Sequence, residues 1–487
     1  MSVRRVVVVG AGFGGLTSAL LLAKKGFEVT IVEKNSEPGG RARVWQEKGF
    51  TFDMGPSWYL MPEVFDNFFE TIGRKRSDYY QLQRINPGYR VYFGEGEKVE
   101  ITADVSQTLA LFESFQAGGA ARLRKYLDIA RYEYEVAMRE FMDVDYRSLL
   151  QFMNRKMLVE GLKLHVFEKL DRYVARFFTD RRAQQILEYA TVFLGSSPHD
   201  TPAMYSLMSH LDMEQGIFYP DGGLGKVVDT LVELCGEFGV EIVTGEPVTK
   251  VRTENSLAKA VVTPQGEYTA DLFVMNADYH HVEQDLLRPG ERNYSESWWS
   301  RKTLAPTLMM MYLGVNKRVP ELLHHNLSFT AQWEKHFDSI FKNPAWPENP
   351  NIYVSCTSRT DPTVAPEGCE NLVLLVPLAP GLDETDREAY ADAILAQFEE
   401  LAGVSLRNNL LVKRVYAGSD YLKDYNAYKG SALGLSHTLL QTAIFRPSMR
   451  NKNLKNLFYT GQYTHPGIGV PMAFIGSKIL AAAVGEP

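Results

Sequence analysis

Four residues near the start of the chain have the types and spacing that bind the pyrophosphate and ribose of a dinucleotide. Gly10, Gly12 and Gly15 follow the apolar run 6–9, and Glu33 lies about 20 residues after Gly12. The first glycine permits a tight turn, the second lets the backbone approach a pyrophosphate, and the third lets a helix pack against the strand. A carboxylate at position 33 accepts hydrogen bonds from ribose hydroxyls.

The elements that must position these residues occur in the required order. The sequence predicts a strand at 6–9, a helix at 16–23 and a second strand at 28–32 that ends at Glu33. The helix N-terminus offers free N–H groups and a positive dipole to phosphates. An acidic Glu33 disfavours a 2′-phosphate, so FAD or NAD is expected rather than NADP. A glycine-rich turn without a ligand is the alternative interpretation.

A second loop favours FAD over NAD. Residues 37–43 read Glu-Pro-Gly-Gly-Arg-Ala-Arg, and 50–57 contain Phe-Thr-Phe-Asp followed by Gly-Pro-Ser. Adjacent glycines let the chain pass close to a ligand, and Arg41 can hold a pyrophosphate with two parallel hydrogen bonds. For Arg43, a solvated loop residue is an equally good interpretation. An enzyme that only exchanges hydride with NAD does not need this loop.

Composition limits the remaining possibilities. With 487 residues the chain exceeds one compact core, so two joined domains are expected. A net charge of −7 disfavours general nucleic-acid binding. The three cysteines lack metal-binding spacing and an even disulfide count, which indicates a reducing interior and no metal site. The start of the chain is expected to form a strand rather than a signal peptide, and no apolar run of about 18 residues occurs, so no membrane-spanning helix is predicted.

The C-terminal segment resembles a known signature. Residues 456–472 read Asn-Leu-Phe-Tyr-Thr-Gly-Gln-Tyr-Thr-His-Pro-Gly-Ile-Gly-Val-Pro-Met. This string is similar to the signature of bacterial-type phytoene desaturases, the FAD-dependent carotenoid desaturases that include diapophytoene desaturases. Segments 52–57, 216–225, 276–278 and 365–368 resemble further motifs of that family in the same order, over nearly the whole chain. The sequence departs at Gln462-Tyr463, where many members have two small residues.

The resemblance implies an α/β fold of the flavin amine oxidase and desaturase superfamily, with a Rossmann-type FAD-binding domain and a discontinuous mixed α+β substrate domain. We expect the FAD-binding domain at 1–104, 213–290 and 450–487. A helical substrate and membrane-contact region is expected at 105–212, and a substrate domain with a mixed sheet at 291–449. Hydrophobic periodicity also predicts helices at 226–238 and 384–401.

The loops and the resemblance together give a set of candidate FAD-binding residues. They are Gly10, Gly12, Phe13, Gly14, Gly15, Glu33, Lys34, Gly40, Arg41, Gly55, Pro56, Ser57, Val248, Asn276, Ala277, Asp278, Gly461, Gly467, Gly469, Val470, Pro471 and Met472. The helix after Pro471 is expected to point its N-terminus at the flavin, where its dipole can stabilise negative charge.

The family implies desaturation of phytoene (C40) or diapophytoene (C30), in which hydride moves from carbon to flavin N5 and a proton leaves the adjacent carbon. Such a hydrocarbon offers no polar group, so an apolar tunnel must bind it by burial and shape. The run 304–313, with Leu308 to Tyr312, could line this tunnel, although a plain buried strand is the simpler interpretation for any single side chain. Amine oxidation is disfavoured because this insertion is apolar.

The sequence does not identify the catalytic acid or base. His465 and Asp278 are candidates, with a structural role as the simpler interpretation, and His210 and Glu214 are weaker candidates. Three alternatives stay open: a cis–trans isomerase, an end-group oxygenase, and a non-enzymatic flavin-bearing lipid-binding protein.

The expected substrate resides in membranes, so we expect a cytoplasmic protein held peripherally at the cell membrane, with oxygen or a quinone as electron acceptor. Segment 147–182 carries nine basic and four acidic residues interleaved with aromatic and aliphatic ones. A basic helix with an aromatic face can lie on an anionic surface. An ordinary amphipathic helix packed on its neighbours is the alternative.

Overall fold

A five-stranded parallel sheet organises the cofactor end of the molecule. The structure is a computed structural model that describes residues 4–146 and 164–486. The order of strands across the sheet is Leu457–Tyr459, Leu272–Met275, Arg5–Val9, Glu28–Val32 and Glu241–Val243. Parallel strands end at one edge, so the residues that follow three of them, Gly10, Asn276 and Thr460, meet there.

Helices cover this sheet because its central strands are apolar on both faces. Val6 to Val9 are all buried. The helix Phe13–Lys24 packs against the C-terminal helix Val470–Val484, with Phe13 and Phe474 ring centroids 5.9 Å apart. The helix Gly223–Glu237 also packs on Phe13–Lys24. The two glycine-containing loops that precede the first and last of these helices therefore lie side by side.

A seven-stranded mixed sheet forms the second layer. Its order is Leu410–Tyr416, Thr307–Val315, Glu370–Leu378, Ile352–Ser355, His325–Phe329, Tyr89–Phe93 and Lys98–Ile101. Tyr89–Phe93 pairs in parallel with His325–Phe329, and every other pair is antiparallel. Residues 89–101 thus join the substrate-side sheet, although they fall inside the predicted 1–104 segment. The domain limits themselves stay a prediction.

Smaller elements complete the described chain. An antiparallel sheet contains Lys250–Glu254, Leu257–Thr263 and Gly266–Thr269, and two-stranded pairs join Val44–Glu47 to Phe50–Asp53 and Leu82–Arg84 to Phe218–Pro220. The chain between the strands Lys98–Ile101 and Phe218–Pro220 contains the helices Val105–Phe115, Gly119–Glu140, Leu170–Ala175, Arg181–Glu188 and Leu207–His210. The remaining helices are Pro62–Thr71, Tyr279–His281, Glu296–Trp299, Trp333–Phe341, Arg387–Ala402 and Gly418–Tyr425, with π-helical turns at Leu211–Gln215 and Val282–Leu286.

The basic segment 147–182 is described only in part. Residues 147–163 lie outside the described residues, whereas 164–182 are described and include Leu170–Ala175. Within the described ranges, no helix combines the length and the apolar character needed to cross a bilayer.

Candidate functional site

One large cavity opens at the carboxyl edge of the parallel sheet. It has a volume of about 1150 Å³ and extends from the Gly10 loop to the mixed sheet. Pockets for drug-sized ligands hold about 300–1,000 Å³, so this cavity has room for a dinucleotide part and a further ligand. Every candidate FAD-binding residue except Gly15 contributes to its wall.

The first loop shows why its glycines are needed. Gly10 has φ +101°, and a Cβ there would lie 3.3 Å from the backbone carbon of Asn276. A Cβ on Gly15 would lie 1.9 Å from the Gly10 carbonyl oxygen, so only glycine lets the helix approach the turn. Gly15 therefore lies behind the loop and shapes it without contacting the cavity, as its predicted packing role requires.

Asn276 joins the first loop to the C-terminal loop. A Cβ on Gly14 would lie 2.7 Å from Asn276 Nδ2, and a Cβ on Gly461 would lie 2.8 Å from the same atom. The Nδ2 group donates a hydrogen bond of 3.4 Å to the Thr460 carbonyl. Strands that are distant in sequence thus place two glycine-lined loops around one amide side chain.

Glu33 is buried at the end of the second strand, with 5% of its surface exposed. Its Oε2 accepts a hydrogen bond from the Ala11 N–H at 2.6 Å, and its Oε1 accepts one from the Asn35 N–H at 2.9 Å. A carboxylate has about four acceptor sites, so Glu33 can tie the two loops together and still accept from a ribose. The neighbouring Lys34 ammonium donates to Asn426 Oδ1 at 2.8 Å.

Arg41 has the character of an anion ligand. Its Nε and Nη2 atoms are buried and have no hydrogen-bond partner among the described residues, and its guanidinium lies 5.1 Å from the Tyr425 ring centroid. Buried donors of this kind need an acceptor, and a pyrophosphate supplies one. Arg43 differs, since it forms an ion pair with Asp424 and contributes nothing to the cavity wall.

The C-terminal loop presents a helix end to the cavity. Gly467 and Gly469 have φ of +126° and +125°, and the helix Val470–Val484 begins immediately after them. Val470, together with the next two residues of this helix, forms part of the wall. The positive end of the helix dipole therefore faces the cavity.

The wall divides into a charged half and an apolar half. We call the part around the two glycine loops the nucleotide half; it supplies the charged side chains of the wall, which are Glu33, Lys34, Arg41, Glu246, Asp278, Asp285 and Asp424. The apolar half is built by the end of Gly119–Glu140, by residues 189–211 and by strands of the mixed sheet. The charged and the apolar side chains of the wall thus lie in different halves of the same cavity.

The predicted tunnel run contributes less than expected. Of Leu308 to Tyr312, only Leu308 lies in the cavity wall. Met309 and Met311 face the helix Arg387–Ala402, while Met310 and Tyr312 pack on the opposite face with Phe50 and Phe52. Successive side chains of a strand point to opposite faces, so these four side chains lie in two separate cores. The plain buried strand is therefore the correct interpretation for four of the five.

The candidate acid–base residues are held by local hydrogen bonds. His465 Nε2 lies 3.1 Å from both the Phe141 and Met142 carbonyls, so this nitrogen carries the hydrogen, and burial lowers the pKa of His465 to about 4. Asp278 accepts hydrogen bonds from the His280 and His281 N–H groups and from the Tyr463 hydroxyl, the last at 2.7 Å. Both residues lie in the wall, and Asp278 orders its own loop.

His210 and Glu214 lie away from the cavity. They hydrogen-bond to each other at 2.6 Å, and Glu214 also forms ion pairs with Arg124 and Arg131. Burial alone would raise the pKa of Glu214, but the hydrogen bonds from Arg131 and His210 outweigh it and lower that pKa. This geometry gives them a structural role between helices.

Sequence reasoning missed the aromatic residues of the apolar half. Trp58, Tyr189, Phe193 and Tyr353 all lie in the wall, and Trp58 ring centroids lie 5.2 Å from Phe193 and 6.1 Å from Tyr189. Trp58 directly follows the predicted Ser57, which was the one available signal. The others come from elements far apart in the chain, so no local pattern could connect them.

Residues 13–485 match the family of flavin containing amine oxidoreductases. The chain belongs to this family. It is 43% identical to the carotenoid 3,4-desaturase of Haloarcula japonica over 99% of this chain and 98% of that protein. It is 35% identical to the zeta-carotene-forming phytoene desaturase of Myxococcus xanthus, covering 98% and 93%. These matches confirm the resemblance to carotenoid desaturases that the motifs indicated.

Solved structures agree on the fold of this flavin containing amine oxidoreductase. An oxidoreductase from Methanosarcina mazei superposes with a TM-score of 0.65 over 97% of this chain and 98% of that one, at 17% identity. The predicted fold class and the predicted cofactor, FAD, are confirmed. The protein is an FAD-dependent oxidoreductase. The roles of the individual wall residues stay predictions, and the buried donors of Arg41 fit the cofactor that the family carries.

Proposed function

We propose that the protein desaturates a long apolar isoprenoid, a carotenoid or its C40 or C30 precursor. The observation that carries this proposal is the single cavity whose charged nucleotide half continues into an uncharged apolar half. The names of the two relatives support the substrate class. When bound, FAD supplies the oxidising power for removal of a hydride from carbon.

The residues of the apolar half would bind and orient the substrate. A hydrocarbon is held by burial, which contributes about 25 cal/mol per Å² of apolar surface. Met138, Met142, Met204 and Met208 lie in this wall. Their flexible thioether chains can fit both bent and straight polyenes, while the surrounding rings exclude water from the reacting carbons.

Large exposed apolar side chains mark the mouth of the cavity. Phe167 is 74% exposed and Phe445 is 44% exposed, yet both contribute to the cavity wall. Leu440, 67% exposed, follows Leu439 of the wall. We therefore propose that this mouth docks peripherally on a membrane and takes substrate directly from it. Oxygen or a quinone, which both dissolve in the bilayer, is the proposed electron acceptor.

Product analysis tests the proposed reaction. The FAD-loaded protein is mixed with vesicles that contain a C40 precursor, a C30 precursor or a partly unsaturated carotenoid. The products are separated by chromatography and their masses are measured by mass spectrometry. We expect a product that has lost two hydrogen atoms per step. An unchanged mass with altered retention would indicate an isomerase, a gain of oxygen would indicate an oxygenase, and no product from any substrate would contradict catalysis on polyenes.

Vesicle flotation tests whether the protein docks on membranes through the mouth of the cavity. Phe167→Ser combined with Phe445→Ser should lower the fraction of protein that floats with anionic vesicles. Leu422→Ser is the matched control, because Leu422 is 48% exposed and lies outside the cavity wall. Equal flotation of the double variant and the control would refute docking through this mouth.

A further inference from the structure

The aromatic residues Trp58, Tyr189, Phe193 and Tyr353, which we call the aromatic wall, lie where the two halves of the cavity meet. Trp58 follows directly after the candidate FAD-binding segment 55–57 and lies in the cavity wall with the other three. Its ring centroid is 5.2 Å from Phe193, 6.1 Å from Tyr189 and 6.2 Å from Tyr353. The wall therefore begins beside the cofactor loop and continues along the substrate space.

Trp58 is held in one orientation by the rings around it. It stacks on His325 with centroids 4.6 Å apart and an interplanar angle of 25°. His325 is fully buried, and its Nδ1 lies 2.7 Å from the Tyr353 hydroxyl. Burial lowers the pKa of His325 well below its usual value, so the imidazole is neutral. His325 therefore places no positive charge against the indole, which would weaken the attraction of its ring for a cation.

The proposed reaction creates a positive charge in this half of the cavity. When a carbon loses a hydride, it keeps neither of the two bonding electrons. A charge in an apolar, water-poor space is unfavourable unless a partner stabilises it. The described wall of the apolar half provides no carboxylate, because all charged wall residues belong to the nucleotide half. Aromatic faces are the available groups that attract a cation.

Building on the proposed function, we propose that the aromatic wall, with Trp58 at its centre, stabilises the positive charge that develops on the substrate carbon as the hydride leaves. One C–H bond breaks and both of its electrons leave with the hydride, which reduces the bound FAD. A C–H bond on the adjacent carbon then breaks, its electrons form the new double bond, and its proton passes to water. The substrate is oxidised by two electrons, and the cofactor gains the same two.

Equilibrium binding gives a test that does not depend on turnover. The probes are a polyprenyl chain with a tertiary ammonium in place of one saturated carbon and its neutral hydrocarbon isostere. We expect Trp58→Leu to lower the ratio of ammonium affinity to hydrocarbon affinity about tenfold to thirtyfold, with Trp58→Phe in between. Trp298→Phe is the control, because Trp298 lies outside the cavity wall. An unchanged ratio in Trp58→Leu would overturn the proposal.

Fluorinated tryptophans provide the kinetic test. Fluorine weakens the negative face of the indole without removing the ring, so kcat should fall stepwise with fluorination while KM changes little. Fluorination of the remaining tryptophans in the Trp58→Phe variant should leave the kcat of that variant unchanged. The flavin absorbance shows how much FAD each protein holds. A kcat insensitive to fluorination in the parent protein would refute the role of Trp58 and leave the proposed function standing. A parent protein that desaturates no polyene would refute the proposed function itself.

Discussion

Replacing Arg41 by methionine should separate cofactor binding from folding. Methionine keeps the length of the side chain and removes the guanidinium, whose Nε and Nη2 are buried without partners among the described residues. A buried unsatisfied donor costs about 1–3 kcal/mol. Without FAD, the variant should therefore unfold with a free energy equal to that of the parent protein, or up to about 2 kcal/mol higher.

With FAD present, the Arg41→Met variant should instead be less stable than the parent protein. Two hydrogen bonds from a charged donor to the pyrophosphate would be lost, which corresponds to about 2–4 kcal/mol of binding free energy. The dissociation constant of FAD should rise roughly 30-fold to 1,000-fold. The thermal stabilisation that added FAD gives to the apoprotein should shrink accordingly, because it depends on the ratio of FAD concentration to that constant.

Calorimetric titration of the apoprotein with FAD, together with thermal unfolding at fixed FAD, measures both effects. Arg43→Met is the matched control, since Arg43 pairs with Asp424 and lies outside the wall. It should destabilise the apoprotein while changing the FAD dissociation constant only a few-fold. An Arg41→Met protein with the parental FAD affinity, or an apoprotein destabilised by more than about 1 kcal/mol, would refute the assignment of Arg41 to the pyrophosphate.

Three further predictions concern Gly15, Glu33 and Asp212. Gly15→Ala would place a Cβ 1.9 Å from the Gly10 oxygen, so it should abolish FAD retention on purification, whereas Gly290→Ala, with open space around it, should not. Glu33→Gln replaces an acceptor of backbone N–H groups by a donor and should lower the apoprotein's unfolding free energy by about 1–3 kcal/mol in urea titrations; an unchanged value would contradict this. Burial raises the pKa of Asp212 from 3.8 to about 7, so the folded state binds the extra proton and this group's contribution to stability falls as pH rises from about 4 to 7. Asp212→Asn should therefore gain stability relative to the parent protein over that window, by roughly 2–4 kcal/mol at pH 8, and a pH-independent difference would count against it.

The sequence predicted the nucleotide half well because its information is local. Gly10, Gly12 and Glu33 are separated by distances that one βαβ unit fixes, and the structure places all three at one edge of the sheet. Helices expected from periodicity at 226–238 and 384–401 appear as Gly223–Glu237 and Arg387–Ala402. Their ends shift by a few residues because capping, more than periodicity, decides where a helix ends.

The apolar half could not be predicted in the same way because its partners are distant in sequence. Tyr89–Phe93 pairs with His325–Phe329 across nearly half of the chain, and no local pattern marks such a pairing. The alternation of Leu308 to Tyr312 identifies two faces of a strand but does not say which face meets the cavity. The proposed role of Trp58 likewise depends on rings that the fold brings to it from distant parts of the chain.

We propose that one cavity brings FAD and a long polyene together so that hydrogen can be removed from the polyene. Anaerobic mixing of the FAD-loaded protein with C30 and C40 polyenes, followed by flavin absorbance and product mass, tests it directly. We expect the absorbance of oxidised flavin to disappear with at least one of them, and one product molecule lighter by two hydrogen atoms to form per flavin. Flavin that stays bound and oxidised with every polyene offered would contradict desaturation in this cavity.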